Sequence, residues 1–215
     1  MNRRALLRSA AGVSLASVSL ATLFTAPLAT VERPAAQPLD VEALLFDPAT
    51  PTGGNPKGDV TIVAFFDYNC GYCKKASPAL SRLVTEDGNI RLVYKDWPIL
   101  AESSVVGAQM ALAAKYQGKY EAAHKALMGL RSLSSANIGA ALKEAGIDLA
   151  RLSADLKSKG PEIAALLKRN HDQANALELP GTPVYLVGPY KVAAALDYEG
   201  FKNVVHDARE RAKAN

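Results

Sequence analysis

The sequence predicts an α/β fold: an early parallel βαβ unit, a long helical insertion, and a sheet that resumes near the end. Three observations carry this. Val60 to Phe66 is an almost unbroken apolar run rich in β-favouring residues, as in a strand buried on both faces. Cys70 to Thr85 has helical character and Ile90 to Lys95 is a second strand-like run, an order that places the two strands parallel in one sheet. Between Ala101 and Glu178 there is no strand signal, and a stretch so much longer than the roughly dozen residues of a simple crossover reads as an inserted helical subdomain.

Composition bounds the function classes. Of 215 residues, 49% are hydrophobic and 21% charged, the balance of an ordinary globular chain rather than a disordered or multi-span membrane one. The formal charge is +4, and Arg3, Arg4 and Arg8 sit together at the start, so no basic face for nucleic acid is expected. Residues 1–29 read as an export signal peptide. Met1 to Arg8 is basic, Ala10 to Phe24 is apolar and uncharged, and small residues follow, with cleavage after Ala21 or Ala29. The apolar run is shorter than the roughly 20 residues that span a bilayer. The order Asn2-Arg3-Arg4-Ala5-Leu6-Leu7-Arg8 resembles a twin-arginine signal, and the general and twin-arginine routes both stay open. Either delivers the mature chain beyond the cytoplasmic membrane, most simply to a bacterial periplasm, where disulfides persist.

Residues 30–58, rich in Pro, Gly, Thr and Ala around a short helix from Val41 to Phe46, read as an N-terminal arm. The folded domain is expected over residues 59–213, with its insertion at about 101–178. Pro78 has no N–H to give its helix and should kink it. Within the insertion, Gly118, Gly146 and the Gly160-Pro161 pair punctuate four or five helices. Val105, Ala108, Leu112 and Tyr116 share one helical face, Tyr120, Ala123, His124 and Leu127 a second, and Ile163, Leu167, Ala174 and Leu177 a third. Pro183 to Val187 restarts the sheet, Gly188 and Pro189 turn the chain, and Tyr190 to Ala194 returns antiparallel. After Asp197, the positions of Phe201, Val204, Val205 and Ala208 give a last helix one apolar face.

The chemistry centres on Cys70-Gly71-Tyr72-Cys73, a C-x-x-C at the end of a buried strand and the start of a helix. Unpaired N–H groups and the positive end of the helix dipole favour a thiolate on the first cysteine, so Cys70 is the expected nucleophile. Cys73, a turn further in, is the more shielded sulfur and attacks a mixed disulfide on Cys70, closing the intramolecular bond and releasing the substrate. Zinc would need two more good ligands, and His124, His171 and His206 lack finger spacing, so no metal is expected. A purely structural disulfide across so short a loop would restrain little chain entropy. His124, on an apolar stripe, reads as a packed histidine rather than an acid or base. Lys95 either lowers thiolate pKa values from the neighbouring strand or reaches solvent along its stem. Lys74 and Lys75 read as a solvated helix face that could also steer acidic substrates.

The run Phe65-Phe66-Asp67-Tyr68-Asn69-Cys70-Gly71-Tyr72-Cys73-Lys74-Lys75, with Pro78 five positions on and Gly181-Thr182-Pro183 far downstream, resembles the DsbA family of thioredoxin-fold proteins. The likeness runs from about Asp59 to Lys213. It implies a thioredoxin fold with an inserted helical subdomain, a reactive first cysteine, and a cis peptide bond before Pro183 beside the sulfurs. It further implies that the Thr182 backbone pairs with an extended substrate chain while Pro183 keeps the space beside the sulfurs clear. One position departs from the pattern. Six residues before the first cysteine, where thioredoxin-like proteins often carry a buried acid that moves a proton, this chain has Ala64.

The resemblance implies a periplasmic protein thiol:disulfide oxidoreductase with no dissociable cofactor, because the cysteine pair itself holds the two electrons. Its partners would be exported proteins with cysteines and a membrane redox partner that reoxidises or reduces it; a monomer is favoured, with oligomers left open. Gly71, Tyr72 and Thr182 resemble DsbC-type isomerases, whereas the inserted helices resemble DsbA. The expectation is an oxidase, with an isomerase or reductase as the alternative. A chaperone or a copper-binding protein is a different class: soft thiolates do favour Cu(I), but only three methionines occur and neither class explains the proline pattern.

Overall fold

The computed structural model describes residues 39–214, so the expected export signal and the start of the arm lie outside the described residues. The elements in order are α1 (Val41–Phe46), β1 (Thr52–Gly54), β2 (Val60–Phe66), α2 (Gly71–Asp87), β3 (Ile90–Asp96), α3 (Glu102–Ala114), α4 (Tyr120–Gly129), α5 (Ser135–Glu144), α6 (Leu149–Ala176), β4 (Val184–Val187), β5 (Tyr190–Val192) and α7 (Tyr198–Lys213), with a 3-10 turn at Lys115–Gln117 after α3.

The five strands form one mixed sheet in the order β1-β3-β2-β4-β5. Central β2 runs parallel to β3, from Val60 opposite Ile90 to Phe66 opposite Asp96, and antiparallel to β4, with Phe65 opposite Val184. Alternation along the strands sorts the core into two layers. Ile62, Ala64 and Phe66 join Ile90, Leu92 and Tyr94 on the face covered by α2, α7 and the inserted helices. Val63, Phe65 and Val93 point the other way, onto Leu44, Trp97 and Ala174. Both faces are therefore apolar, which is why β2 reads as a continuous hydrophobic run.

The boundary expected at Asp59 falls differently in the structure. Part of the expected arm is sheet: β1 pairs antiparallel with β3, Thr52 opposite Val93, and is flanked by Tyr94 N–H to Pro51 O (3.0 Å) and Asn55 N–H to Ile90 O (2.8 Å). Gly54 sits at φ 67°, and a Cβ there would run into the Ile90 carbonyl, so a glycine read as a loop signal is what lets this strand close on β3. Upstream, Asp40 caps α1 and Leu44 is buried. Cationic side chains hold the segment down: Arg91 donates to Leu45 O (2.8 Å), Arg169 pairs with Asp47 (2.9 Å) and Lys115 donates to Ala49 O (2.6 Å).

Between β3 and β4 the chain is helical. α6 runs for 28 residues straight through Gly160 and Pro161, where a break was expected. An interior proline costs a helix about 3 kcal/mol. Burial of Leu152, Ile163, Leu166 and Ala174 along one stripe outweighs it, since a large apolar side chain contributes about 1.5–3 kcal/mol. α2 likewise continues past Pro78 and ends at Gly88, left-handed at φ 71°. In α3 the buried face is Ser104, Gly107, Ala108 and Ala111, whereas Val105, expected on the packing stripe, is exposed beside Val106. Small residues there allow close approach: a Cβ on Gly107 would strike Leu133. The sheet then resumes as expected, β5 returning antiparallel with Tyr190 opposite Val187, and α7 buries Phe201, Val205 and Ala208.

Where β3 ends, Asp96 is buried among aromatic groups. Its Oδ2 accepts from Tyr120 Oη (2.6 Å), and the rings of Phe66 and Tyr94 lie 4.7 and 4.9 Å from that of His124, whose Nδ1 is 3.2 Å from Tyr68 Oη. Burial pushes His124 down to about 3, so it stays a neutral packing group, as its stripe position predicts. Burial also pushes the Asp96 carboxyl up to about 7, against hydrogen bonds from Tyr120 and Tyr68.

An acid whose pKa is higher in the folded chain keeps its proton where the unfolded chain has lost it. Stability therefore falls as pH rises from about 4 to 7 and levels off above, with a slope of at most about 1.4 kcal/mol per pH unit. Asp96→Asn keeps an acceptor for Tyr120 and is expected to remove this slope in urea denaturation across that window. Parallel curves for the two proteins would exclude the assignment.

Candidate active site

The chain leaves β2 at Phe66, turns through Asp67, Tyr68 and Asn69, and begins α2 at Gly71 with Cys70 as the N-cap. Its Sγ takes the place an Asp or Ser oxygen fills at other helix starts, accepting from Cys73 N–H at 3.3 Å. That position favours negative charge, because unpaired N–H groups and the helix dipole converge on it. Facing it, the Thr182–Pro183 bond is cis and the Cys70 thiol donates to Thr182 O at 3.2 Å. The fold thus brings Cys70, Cys73, Thr182 and Pro183 together across 112 residues of sequence.

The two sulfurs lie in unequal surroundings. Burial pushes the Cys73 thiol far up, while the Asp67 backbone amide and the Thr182 side chain pull it the other way. The Thr182 hydroxyl is buried and has no hydrogen bond to another group among the described residues. Cys70 is buried, whereas the two residues that follow it are exposed. Tyr72 is 69% exposed, and space is open where a Gly71 side chain would be. A cavity of about 320 Å³ opens alongside, lined by Tyr72, Thr182, Pro183 and the small side chains of Ala193, Ala194 and Ala195. Among the described residues no three His, Cys, Asp or Glu side chains gather as metal ligands, and no helix is long and apolar enough to cross a membrane.

Lys95 sits differently from either sequence expectation, and Lys74 is less solvated than a free helix face. Lys95 is fully buried on the sheet face away from the cysteines, alternating with Tyr94, and its Nζ lies 3.4 Å from Thr50 Oγ1. Burial pushes it down to about 8, with Asp47, Arg169 and Arg91 as the charges it feels. It is neither beside the thiolate nor in solvent. Lys74 is half-buried and donates to Leu127 O at 3.2 Å.

In the sequence Asp67 and Asn69 figure only as members of the family-like run, with no role of their own. Asp67 Oδ1 accepts from Asn69 N–H (2.6 Å) and Ser104 Oγ (2.7 Å), and Oδ2 from Ile99 and Leu100 N–H (2.8 and 3.0 Å). Asn69 Nδ2 donates to Ser103 and Ser104 Oγ (both 2.9 Å), and its Oδ1 accepts from Leu133 N–H (3.0 Å). These bonds fasten the turn before Cys70 to the inserted helices. The one signal was a pair of short polar side chains directly before the first cysteine; nothing in the spacing links them to Ser103 and Ser104.

Asp67→Ala would leave four donors without an acceptor, one of them buried and three part-buried, so a loss of about 3 kcal/mol is expected in urea denaturation. Asp67→Asn keeps one acceptor oxygen and should lose less. A loss below about 1 kcal/mol for the alanine variant would contradict this account.

A family model described as Thioredoxin matches residues 47–207. Among solved structures, a thioredoxin-like oxidoreductase from Silicibacter pomeroyi DSS-3 is 40% identical with a TM-score of 0.75, over 80% of this chain and 98% of that one. The thiol-disulfide exchange protein alpha-DsbA2 from Wolbachia pipientis is 28% identical, TM-score 0.73, over 77% and 90%. A periplasmic thioredoxin-like protein from Salmonella enterica serovar Typhimurium is 27% identical, TM-score 0.69, over 78% and 94%. A curated relative, the Na(+)/H(+) antiporter NhaA 1 of Salinispora arenicola, is 27% identical over 158 residues, which is 72% of this chain and 24% of that protein. The chain spans about a quarter of the length of the curated relatives it matches.

Proposed function

This chain belongs to the thioredoxin family, with a DsbA-like fold; from that premise we propose that it is a thiol:disulfide oxidoreductase whose Cys70 and Cys73 form disulfides in exported proteins in the periplasm. The observation that carries the assignment is the geometry of the pair: Cys70 caps a helix N-terminus against the Thr182 carbonyl, with Cys73 buried one turn deeper. The basic and apolar N-terminus supports the periplasmic location, as does the likeness to a Salmonella protein described as periplasmic.

In the oxidising direction a substrate thiolate attacks the Cys70 sulfur of a Cys70–Cys73 disulfide. The bond between the two cysteines breaks, Cys73 leaves and takes a proton, and a mixed disulfide forms on Cys70. A second substrate thiolate then attacks the substrate's own sulfur in that bond, which closes the substrate disulfide and releases Cys70 as a thiolate. Two electrons now reside on the pair, and a membrane redox partner removes them. Burial suits Cys73 to its part: a sulfur that holds its proton is slow to attack back. Cys70, released at the helix N-terminus, leaves where negative charge is favoured. The Thr182 backbone offers an extended substrate a strand edge, and Tyr72, Ile99 and Leu100 present exposed apolar side chains to it.

A second reading, a disulfide isomerase, is favoured by Gly71-Tyr72 between the cysteines and by Thr182 before the proline, both of which resemble DsbC-type sites. Direction is tested by two assays. The oxidised mature protein is expected to introduce disulfides rapidly into a reduced substrate, and the reduced protein to leave a scrambled multi-disulfide substrate unrecovered. Efficient recovery by the reduced protein would replace the oxidase with an isomerase. Cys70→Ser is expected to abolish the exchange, and activity surviving that change would remove Cys70 from the mechanism.

A further inference from the structure

A second concavity, of about 520 Å³, lies between α2 and α4 and opens beside the residue that follows Cys73. On the α2 side, Lys74, Ser77, Ser81 and Thr85 fall at successive turns and line it; Lys125 and Met128 line the α4 side. From Lys74 to Thr85 the helix rises about 16 Å, the span of about five residues of extended chain. The hydroxyls along this wall suit the backbone groups of such a chain, and Pro78 and Met128 give it apolar contact.

Charge narrows the occupant. At the far end Arg82 is already engaged, bonded to Glu86 at 2.8 Å and stacked over Tyr198 at 4.2 Å, and Glu86 also accepts from Tyr198 Oη at 2.7 Å. Lys74 and Lys125 have no carboxylate within 4.0 Å among the described residues. The groove therefore offers two cations, one of them at the active-site end, and its only carboxylate is taken.

We propose that this groove binds an extended acidic segment of the protein that exchanges electrons with the Cys70–Cys73 pair. The assignment to a redox partner rests on the function proposed above. A fixed charge requirement suits a single partner met at every turnover better than substrates of varied sequence, and electrostatic complementarity of this kind steers encounter and fixes orientation. Bound along α2, the segment would lead from the groove to the sulfurs.

The test uses the purified mature protein and three cysteine-free, seven-residue peptides of matched apolar content, one rich in Glu and Asp, one neutral and one rich in Lys. Each is titrated into isotopically labelled protein and followed by amide chemical shifts at low and raised salt. The acidic peptide is expected to bind, to shift amides of residues 74–86 and 125–129, and to weaken with salt. Lys125→Glu should weaken it at least tenfold, as should Ser81→Trp, which fills the groove without changing charge. Lys57→Glu, the same charge change at an exposed site elsewhere, should alter it less than twofold. No binding of the acidic peptide, equal binding of the basic one, shifts outside the groove, or equal loss in Lys57→Glu would each overturn the proposal. Because the peptides carry no thiol, the readout is separate from disulfide exchange. Peptide binding without exchange activity would overturn the redox-partner assignment and the proposed function; exchange without peptide binding would overturn the groove alone.

Discussion

Four donors converge on the Asp67 carboxylate, and the relation between the sheet and the inserted helices hangs on that convergence. Two of them, the amides of Ile99 and Leu100, belong to the loop that leaves β3; a third, Ser104, opens α3; the fourth, the Asn69 amide, shapes the turn itself. One buried anion thus serves the end of β2, the exit from β3 and the first helix of the insertion. The C-x-x-C helix starts three residues later, so the direction in which Cys70 presents its sulfur is inherited from this clamp. A carboxylate with this many donors is well compensated for the water it has lost, which is the condition for burying a charge.

The site also shows how a thioredoxin-like chain manages without an acid at the position of Ala64. That residue lies opposite Tyr185 on β4 and is packed in apolar surroundings. The ionisable group of this sheet face stands instead at the end of the neighbouring strand, as Asp96 among tyrosines and a neutral histidine. Burial dominates at Cys73, with the Asp67 backbone amide and the Thr182 side chain acting against it and Cys70 adding to it. Apart from the partner sulfur, the groups acting there are a main-chain amide and a hydroxyl, which do not titrate.

Much of this was legible beforehand, and the exceptions share a cause. The runs of β2 and β3, the stripe of α4 and the cysteine pair are written in local periodicity or in a short motif, and the structure places them accordingly. Pro161 was misleading because propensity is a local penalty whereas the burial that overrides it depends on partners far away. Lys95 was misread because the face a strand residue points to is decided by its register against β2, which the residue type does not encode. The parts played by Asp67, Asn69, Ser103 and Ser104 stayed hidden because each is an ordinary polar residue until folding brings them within 3 Å of one another. Thr182 and Pro183 were found only through likeness to a family, since nothing near them in the chain mentions cysteine.

β1 is only three residues long, yet it occupies the outer flank of β3. Without it, β3 would present a row of unpaired amides and carbonyls along an apolar strand, a ready template for another chain to add to. The segment with Leu44, the strapped carbonyls of Leu45 and Ala49, and Gly54 acts as a selvedge, finishing the fabric so that it does not catch on its neighbours. Under the proposed function the contrast has a use: a strand edge at Thr182 is what a substrate meets, while the outer flank of β3 is already filled.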